Sequence, residues 1–172
     1  MTPGQRSRNM AAIKGKDTKP ELIVRKYLFS RGLRFRVQVR KLPGNPDIVL
    51  PKYRTVIFVN GCFWHGHEGC KYFRLPKSNV GFWEEKIERN VARDVRNEAE
   101  LKALGWRVIW IWECEIKAVA RREEYLKRLY DRIVNPAQSY LIASNMDELS
   151  IAAEPESERI YGDNNHSQPW CV

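Results

Sequence analysis

The chain has 172 residues, enough for one domain with a sizeable core, and 43% of them are hydrophobic, an ordinary globular share. No run of about 18 apolar residues is present to span a bilayer, and the basic segment Met1 to Ile13 lacks the apolar stretch of a secretory signal, so a cytoplasmic protein is expected. The net charge of +9 is unevenly placed: residues 135–172 hold six acids and one base, a balance of −5, so residues 1–134 carry +14, a field that attracts polyanions such as nucleic acid.

In chain order, residues 1–16 read as a basic N-terminal arm. The first 41 residues hold twelve Lys and Arg against Asp17 and Glu21. Thr18-Lys-Pro-Glu21 is a capping-box pattern with Pro20 near the helix start, and the helix runs to about Arg31 before Gly32. Phe35, Val37 and Val39 alternate with Arg and Gln, which predicts a half-buried strand. Pro43 to Pro46 is a turn, Asp47 to Leu50 a short strand and Thr55 to Val59 a more buried one. After the loop Gly61 to Cys70, the pattern is helical from about Val80 to Leu104 and is ended by Gly105. Trp106 to Trp112 reads as a central strand that delivers Cys114, and a last helix covers roughly Lys117 to Val134. No internal repeat is evident. The expected order is α-β-β-β-α-β-α, packed as one sheet with helices on its faces. Residues 17–134 form the domain, and the acidic 135–172 a loosely ordered tail.

Cys62, His67 and Cys70 follow a C-x4-H-x2-C spacing, and Cys114 comes 43 intervening residues later. Thiolate and imidazole are the ligands of tetrahedral zinc, and four protein ligands leave no open position, so this reads as a closed structural site. The plainer alternative makes Cys70 and Cys114 small buried hydrophobes. Four cysteines without a secretion signal favour metal over disulfides, and Cys171 is left as a free thiol. His65 lies in the same loop and competes with His67 for the metal. Spacing alone leaves that choice open, and the one left over is available as a general base. Asp47, at a strand edge after a turn, suits Mg²⁺, which takes one or two carboxylates plus water and phosphate oxygens; a turn-capping Asp is the commoner case. Asp94 and Glu21, taken alone, read as charged helix faces. Phe63 and Trp64 fit either core packing or projection into a base stack, and Trp83, at a helix start among Phe82 and Ile87, reads first as core packing.

Taken together, Asn9-Met10, Pro46-Asp47, the run from Val59 to His65, the run from Phe82 to Ile87, the run from Asn90 to Asp94, the run from Gly105 to Val108, and Trp112-Glu-Cys114 resemble the very-short-patch repair (Vsr) endonucleases. These are T:G mismatch-nicking enzymes that accompany cytosine-5 DNA methyltransferases in DNA repair. The resemblance covers about residues 5–134 and implies an α/β, restriction-endonuclease-like αβββαβ core with a structural zinc site. It implies Zn²⁺ on Cys62, His67, Cys70 and Cys114, with His65 as the catalytic histidine and Asp94 orienting it or stabilising its protonated form. It implies Mg²⁺ on Asp47 and the Val59 backbone carbonyl, with Glu21 as a helix carboxylate nearby. Phe63, Trp64 and Trp83 match the aromatics that wedge into DNA, and Arg6, Arg8 and Asn9 match the arm that embraces the duplex.

There are departures, and the tail after Val134 has no counterpart in the family. The Asp/Glu-x-Lys motif usual on the third strand of this fold is absent from Val59-Asn60-Gly61, as it is from this family. Asn60 stands where the best-known members carry a second histidine; it can hydrogen-bond phosphate but cannot transfer a proton. The Cys62–Cys70 loop is one residue longer than in some relatives. The expected activity is a Mg²⁺-dependent nick 5′ to the mispaired T by a monomer, with a cytosine-5 methyltransferase and mismatch-repair proteins as functional companions. The alternatives are a non-catalytic, zinc-stabilised DNA-binding module and a dimeric restriction-type enzyme that cuts both strands.

Overall fold

A computed structural model describes Gly4, Gln5, Arg8 and residues 15–135. The expectations for the acidic tail and for Cys171 lie outside the described residues, as do Arg6 and Asn9.

Helix α1 spans Lys19–Ser30. The carboxylate of Glu21 reaches back to the N–H of Asp17 and of Thr18, at 3.0 and 3.3 Å, which satisfies donors that a helix start leaves orphaned. Gly32, at φ +82°, turns the chain away after the cap. The predicted strand over Phe35–Val39 is reduced to a single bridge, in which Arg36 and Val49 exchange two 2.8 Å hydrogen bonds. The reason lies at Gln38, whose φ of +52° swings the backbone out of the pleat.

Strand β1 is Ile48–Leu50 and β2 is Thr55–Asn60, joined by a 3₁₀ turn over Pro51–Tyr53. The long helix α2 covers Val80–Ala103, and β3 is Arg107–Trp112. A single turn that was not expected, α3, Glu113–Lys117, precedes the last predicted helix, which is α4, Val119–Val134. The sheet order is β1-β2-β3. β1 runs antiparallel to β2, with Ile48 opposite Ile57; β2 runs parallel to β3, from Thr55 opposite Arg107 to Asn60 opposite Trp112. A parallel pair needs a long crossover, and α2 lies within it.

Side-chain parity divides the core. Ile48, Leu50, Ile57, Ile109 and Ile111 face one side, where they meet Val24 and Leu28 of α1, Ile116 of α3 and Leu126, Leu129 and Ile133 of α4. Val49, Val56 and Phe58 face the other, against Leu101 of α2 and the half-buried Val108 and Trp110. Phe58 and Trp110 stack at 4.5 Å on that side. The result is a mixed three-stranded sheet with helices on both faces, the α/β class expected. Burying each large aliphatic side chain contributes about 1.5–3 kcal/mol, so two such layers hold the sheet firmly. The carboxyl ends of the parallel strands β2 and β3 therefore lie side by side at a fixed register, and both lead into the residues that carry chemistry.

Candidate active site

The chain leaves β2 through a tight turn. The Gly61 carbonyl accepts hydrogen bonds from the N–H of Trp64 and His65, at 3.1 and 3.2 Å, and the His67 N–H donates to Cys62 O at 3.0 Å. Gly66 has φ +60°, and a Cβ there would lie 3.2 Å from Ile87 and 3.3 Å from Val91, so the loop is pressed against α2. These turns gather Cys62, His67 and Cys70, while β3 and α3 bring up Cys114. The four ligand atoms lie within 4.8 Å of one another.

The His67 ring stacks on Trp112 at 4.0 Å and 3°, which fixes its plane, and its Nδ1 lies 3.6 Å from Cys114 Sγ. Without a cation the neighbouring thiols oppose ionisation of Cys114. Cys114 is pushed up to about 12, first by burial and then by the adjoining Cys62 and Cys70. Cys62 is also raised, chiefly by burial, whereas the backbone N–H of Tyr72 leads in lowering Cys70. A central cation favours the thiolate at all three. Donor chemistry and spacing thus suit a metal ion held by four side chains.

His65 turns from the same loop toward α2. Its Nδ1 lies 2.5 Å from Asp94 Oδ2, and both side chains are largely buried, at 23% and 17% exposure. A carboxylate only accepts, so the Nδ1 proton faces Asp94 and Nε2 presents the lone pair. Asp94 is therefore not a solvated helix-face residue.

The two residues before His65 meet Trp83 at the start of α2. Phe63 and Trp64 lie 5.2 Å apart edge to face, and Trp83 lies 5.4 and 6.1 Å from them. All three are half-buried, and Phe82, beside Trp83, is 53% exposed. The Lys86 ammonium lies 5.3 Å from the Trp64 ring centre and 5.4 Å from that of Trp83. Asn90 donates from Nδ2 to the Trp64 carbonyl at 3.0 Å.

Asp47 precedes β1. Its Oδ2 accepts the Val59 N–H at 2.7 Å. The N–H and C=O of one strand residue point the same way, so the Val59 carbonyl also faces Asp47, beyond the point where β1 begins. Burial pushes the Asp47 carboxyl up to about 6; the Val59 N–H opposes this, the nearby Glu21 charge adds to it and Arg25 opposes it. Glu21 is 3% exposed, with both oxygens engaged: Thr18 on one, Asp17 N and Arg25 on the other. A carboxylate and a backbone carbonyl on the same side of β2, beside the buried carboxylate of Glu21, are oxygen donors of the kind a hard divalent cation takes. Asn60, 5% exposed, ends β2 opposite Trp112, between this pair and the Cys/His loop. Arg8 is exposed.

Arg25 was not singled out by the sequence, and Lys86, Asn90 and Trp112 were quoted only within the runs that carry the resemblance, without a role of their own. Trp83, Lys86, Asn90 and Asp94 recur at three- and four-residue intervals on α2, which is the signal that places them along one face.

A partly buried imidazole–carboxylate pair, beside aromatics on a basic α/β scaffold, is an arrangement that an enzyme acting on nucleic acid can use. A family model described as DNA mismatch endonuclease Vsr matches residues 1–71. A type II nicking enzyme of Neisseria meningitidis serogroup A, V.NmeAIP, is 50% identical over 77% of this chain and 94% of its own length. The type II nicking enzyme V.XorIIP of Xanthomonas oryzae is 48% identical over 76% and 96%. The DNA mismatch endonuclease Vsr of Escherichia coli is 49% identical over 65% and 71%. The chain belongs to the Vsr family and is a DNA endonuclease. Among the described residues, no helix is long and apolar enough to cross a membrane.

Proposed function

We propose that the protein nicks one strand of duplex DNA on the 5′ side of the T in a T:G mismatch, by Mg²⁺-dependent hydrolysis of one phosphodiester. The observation that carries this reading is the His65–Asp94 contact directly after Phe63 and Trp64. It sets a proton acceptor beside the aromatic cluster that would open the stack. Asp47 and the Val59 carbonyl would hold Mg²⁺, which when bound polarises the scissile phosphate and stabilises charge on the leaving oxygen. His65 Nε2 takes the proton of the attacking water, while Asp94 holds Nδ1–H and balances the imidazolium that forms. Glu21 stands behind Asp47 as a buried negative charge, and Asn60 offers an amide to phosphate. Cys62, His67, Cys70 and Cys114 hold Zn²⁺ as a closed structural site that keeps the His65 loop rigid.

Mismatch selection follows from stacking. A T:G wobble unstacks more readily than a matched pair, so entry of Phe63, Trp64 and Trp83 costs less there. The basic arm, with Arg6, Arg8 and Asn9, embraces the duplex from its backbone side. The enzyme acts as a monomer, and its companion is a cytosine-5 DNA methyltransferase. The names of the Escherichia coli and Neisseria relatives, a mismatch endonuclease and a nicking enzyme, support a single-strand cut.

The test uses end-labelled duplexes with one T:G mismatch in randomised flanks, beside matched controls, in Mg²⁺. A nick 5′ of the T in mismatched duplexes alone is expected. Cleavage of both strands of matched DNA would assign a restriction-type enzyme, and binding without cleavage a DNA-binding module.

A further inference from the structure

Arg25 sits mid-way along α1 and is 9% exposed. Its guanidinium joins three segments. Nη1 meets Asp17 Oδ1 at 2.5 Å, before the helix; Nη2 meets Glu21 Oε2 at 2.8 Å, on the helix; and the same Nη2 donates to the main-chain carbonyl of Asp47 at 3.2 Å, ahead of β1. Asp47 is thereby gripped twice, at its carbonyl by α1 and at its carboxylate by the Val59 N–H of β2. The Arg25 Nε is buried and takes no hydrogen-bond partner among the described residues. A buried unsatisfied donor is destabilising, so the rest of the fork must return something that an apolar side chain in its place would not. The helix cap does not depend on it, because Glu21 already accepts from Asp17 N, Thr18 N and Thr18 Oγ1.

The contact with Asp47 is what the fork adds. Upstream of Asp47 lies a turn with Gly44 at φ +71° and Asn45 at φ 51°, and β1 orders the chain only from Ile48 onward. The Arg25 fork is anchored in a helix and closes that open side. Its planar geometry reaches two carboxylates and a carbonyl at once, a span that a lysine ammonium does not cover.

We infer that Arg25 is a positioning residue of the nuclease site: it fixes the Asp47 main chain against α1, so that the Asp47 carboxylate and the Val59 carbonyl stand ready as a pair of oxygen ligands for a divalent cation. The inference rests on the assignment of those two oxygens made above. Preorganisation matters here because Mg²⁺ demands near-octahedral geometry and sheds water reluctantly, so a ligand that must be ordered on binding weakens the site.

Mn²⁺ serves as the probe. Its free concentration is read by electron paramagnetic resonance as it is titrated into the full chain bound to already nicked duplex, and the Mg²⁺ dependence of nicking is measured in parallel. Arg25→Ala is expected to weaken Mn²⁺ binding about 10–100-fold, the range for partners that orient metal ligands. The Mg²⁺ concentration for half-maximal nicking should rise to match, with the rate at saturating Mg²⁺ little changed. Arg25→Lys keeps a cation beside Glu21 and so keeps the fold. It loses the three-way span, so a smaller loss of the same kind is expected, and it carries the test if Arg25→Ala does not fold. Folded variants that bind Mn²⁺ like the parent would overturn the assignment, as would a fall in the saturated rate with unchanged Mn²⁺ affinity. A parent enzyme that neither nicks in Mg²⁺ nor binds Mn²⁺ would sink the site assignment itself, a result distinct from either.

Discussion

The Cys/His cluster and the oxygen pair proposed for Mg²⁺ lie near one end of the same small sheet, and they are built on opposite plans. Cys62, His67, Cys70 and Cys114 supply four side chains from two strand ends, within 4.8 Å of one another. In the proposed site Asp47 and Val59 would supply two oxygens, one of them from the backbone, and would leave the other coordination positions to water and substrate. The first arrangement would be complete without DNA and would hold structure. The second would be incomplete until a phosphate arrives and could therefore do chemistry. On the proposed reading, soft, closed and structural stands against hard, open and catalytic, and residues 60–70 connect the two.

The comparison breaks most visibly at the closed site. Structural zinc in small domains contributes about 10–16 kcal/mol of apparent binding energy at pH 7, as much as the whole stability of a domain, about 5–15 kcal/mol. Chelation, or Cys70→Ser, should therefore abolish nicking by loosening the 61–70 loop and lower Tm by tens of degrees. Calorimetry with and without chelator checks this; an unchanged Tm would mean that the cluster holds no structural ion. The next effect in size belongs to His65. His65→Ala should lose about 10²–10⁴-fold in nicking rate, the usual share of a general base, with duplex affinity and Tm retained. Single-turnover kinetics beside a binding titration separate these, and full activity in the variant would falsify the role. Asp94→Asn should fall between parent and His65→Ala, since the amide can hold the ring but does not balance its charge.

How much of this was legible beforehand differs between the two sites. The Cys/His set is local in sequence except for Cys114, and its spacing names both the ligand chemistry and the ion class. The strands β2 and β3 and the helices α1 and α2 are written as clear periodic runs, so their observed bounds lie within a residue or two of those read from the chain. Asp47 carried a weaker signal, a carboxylate that opens a strand after a turn, which a turn cap explains as well. Its neighbours in space, Glu21, Arg25 and Val59, are brought up by tertiary packing, and the resemblance was needed to choose the metal reading. The strand over Phe35–Val39 had the right alternation, but a left-handed backbone at Gln38 overrides periodicity, and no residue type there announces it. The turn α3 was missed for a related reason. Its N-terminal cap is Trp112, whose N–H bonds Glu115 Oε2 at 3.0 Å, and Trp is not a residue that signals a cap.

A smaller effect tests the aromatic cluster beside His65. Truncating a stacked aromatic costs roughly 1–3 kcal/mol per base. Trp64→Ala should lower the preference for T:G over matched duplex by that amount and leave the salt dependence of binding, a phosphate property, unchanged. Equal losses on both duplexes would return Trp64 to a packing role. The Lys86 ammonium over the same rings should matter less still, because its contact survives loss of one of them.

The finest distinction between the two sites is in their response to pH without metal. Burial, with the Glu21 charge adding to it, raises Asp47 from 3.8 to about 6 in the fold, against the Val59 N–H and Arg25. An acid whose folded pKa lies above its unfolded value binds more protons when folded, so between about pH 4 and 6 the fold loses stability as pH rises. Below that window the penalty is absent, and above it the penalty is fully present. Asp47→Asn removes the charge while keeping the shape. The variant should therefore melt on the order of a few degrees higher than the parent at pH 7.5 and at about the same temperature near pH 4, although it cannot nick. Mg²⁺ should narrow the gap at pH 7.5, because it stabilises only the parent. Melting curves at the two pH values, with and without Mg²⁺, read all of this at once. A parent that is the more stable of the two at pH 7.5 without metal would show that Asp47 is held as a favourable carboxylate, with the Val59 N–H and Arg25 outweighing burial.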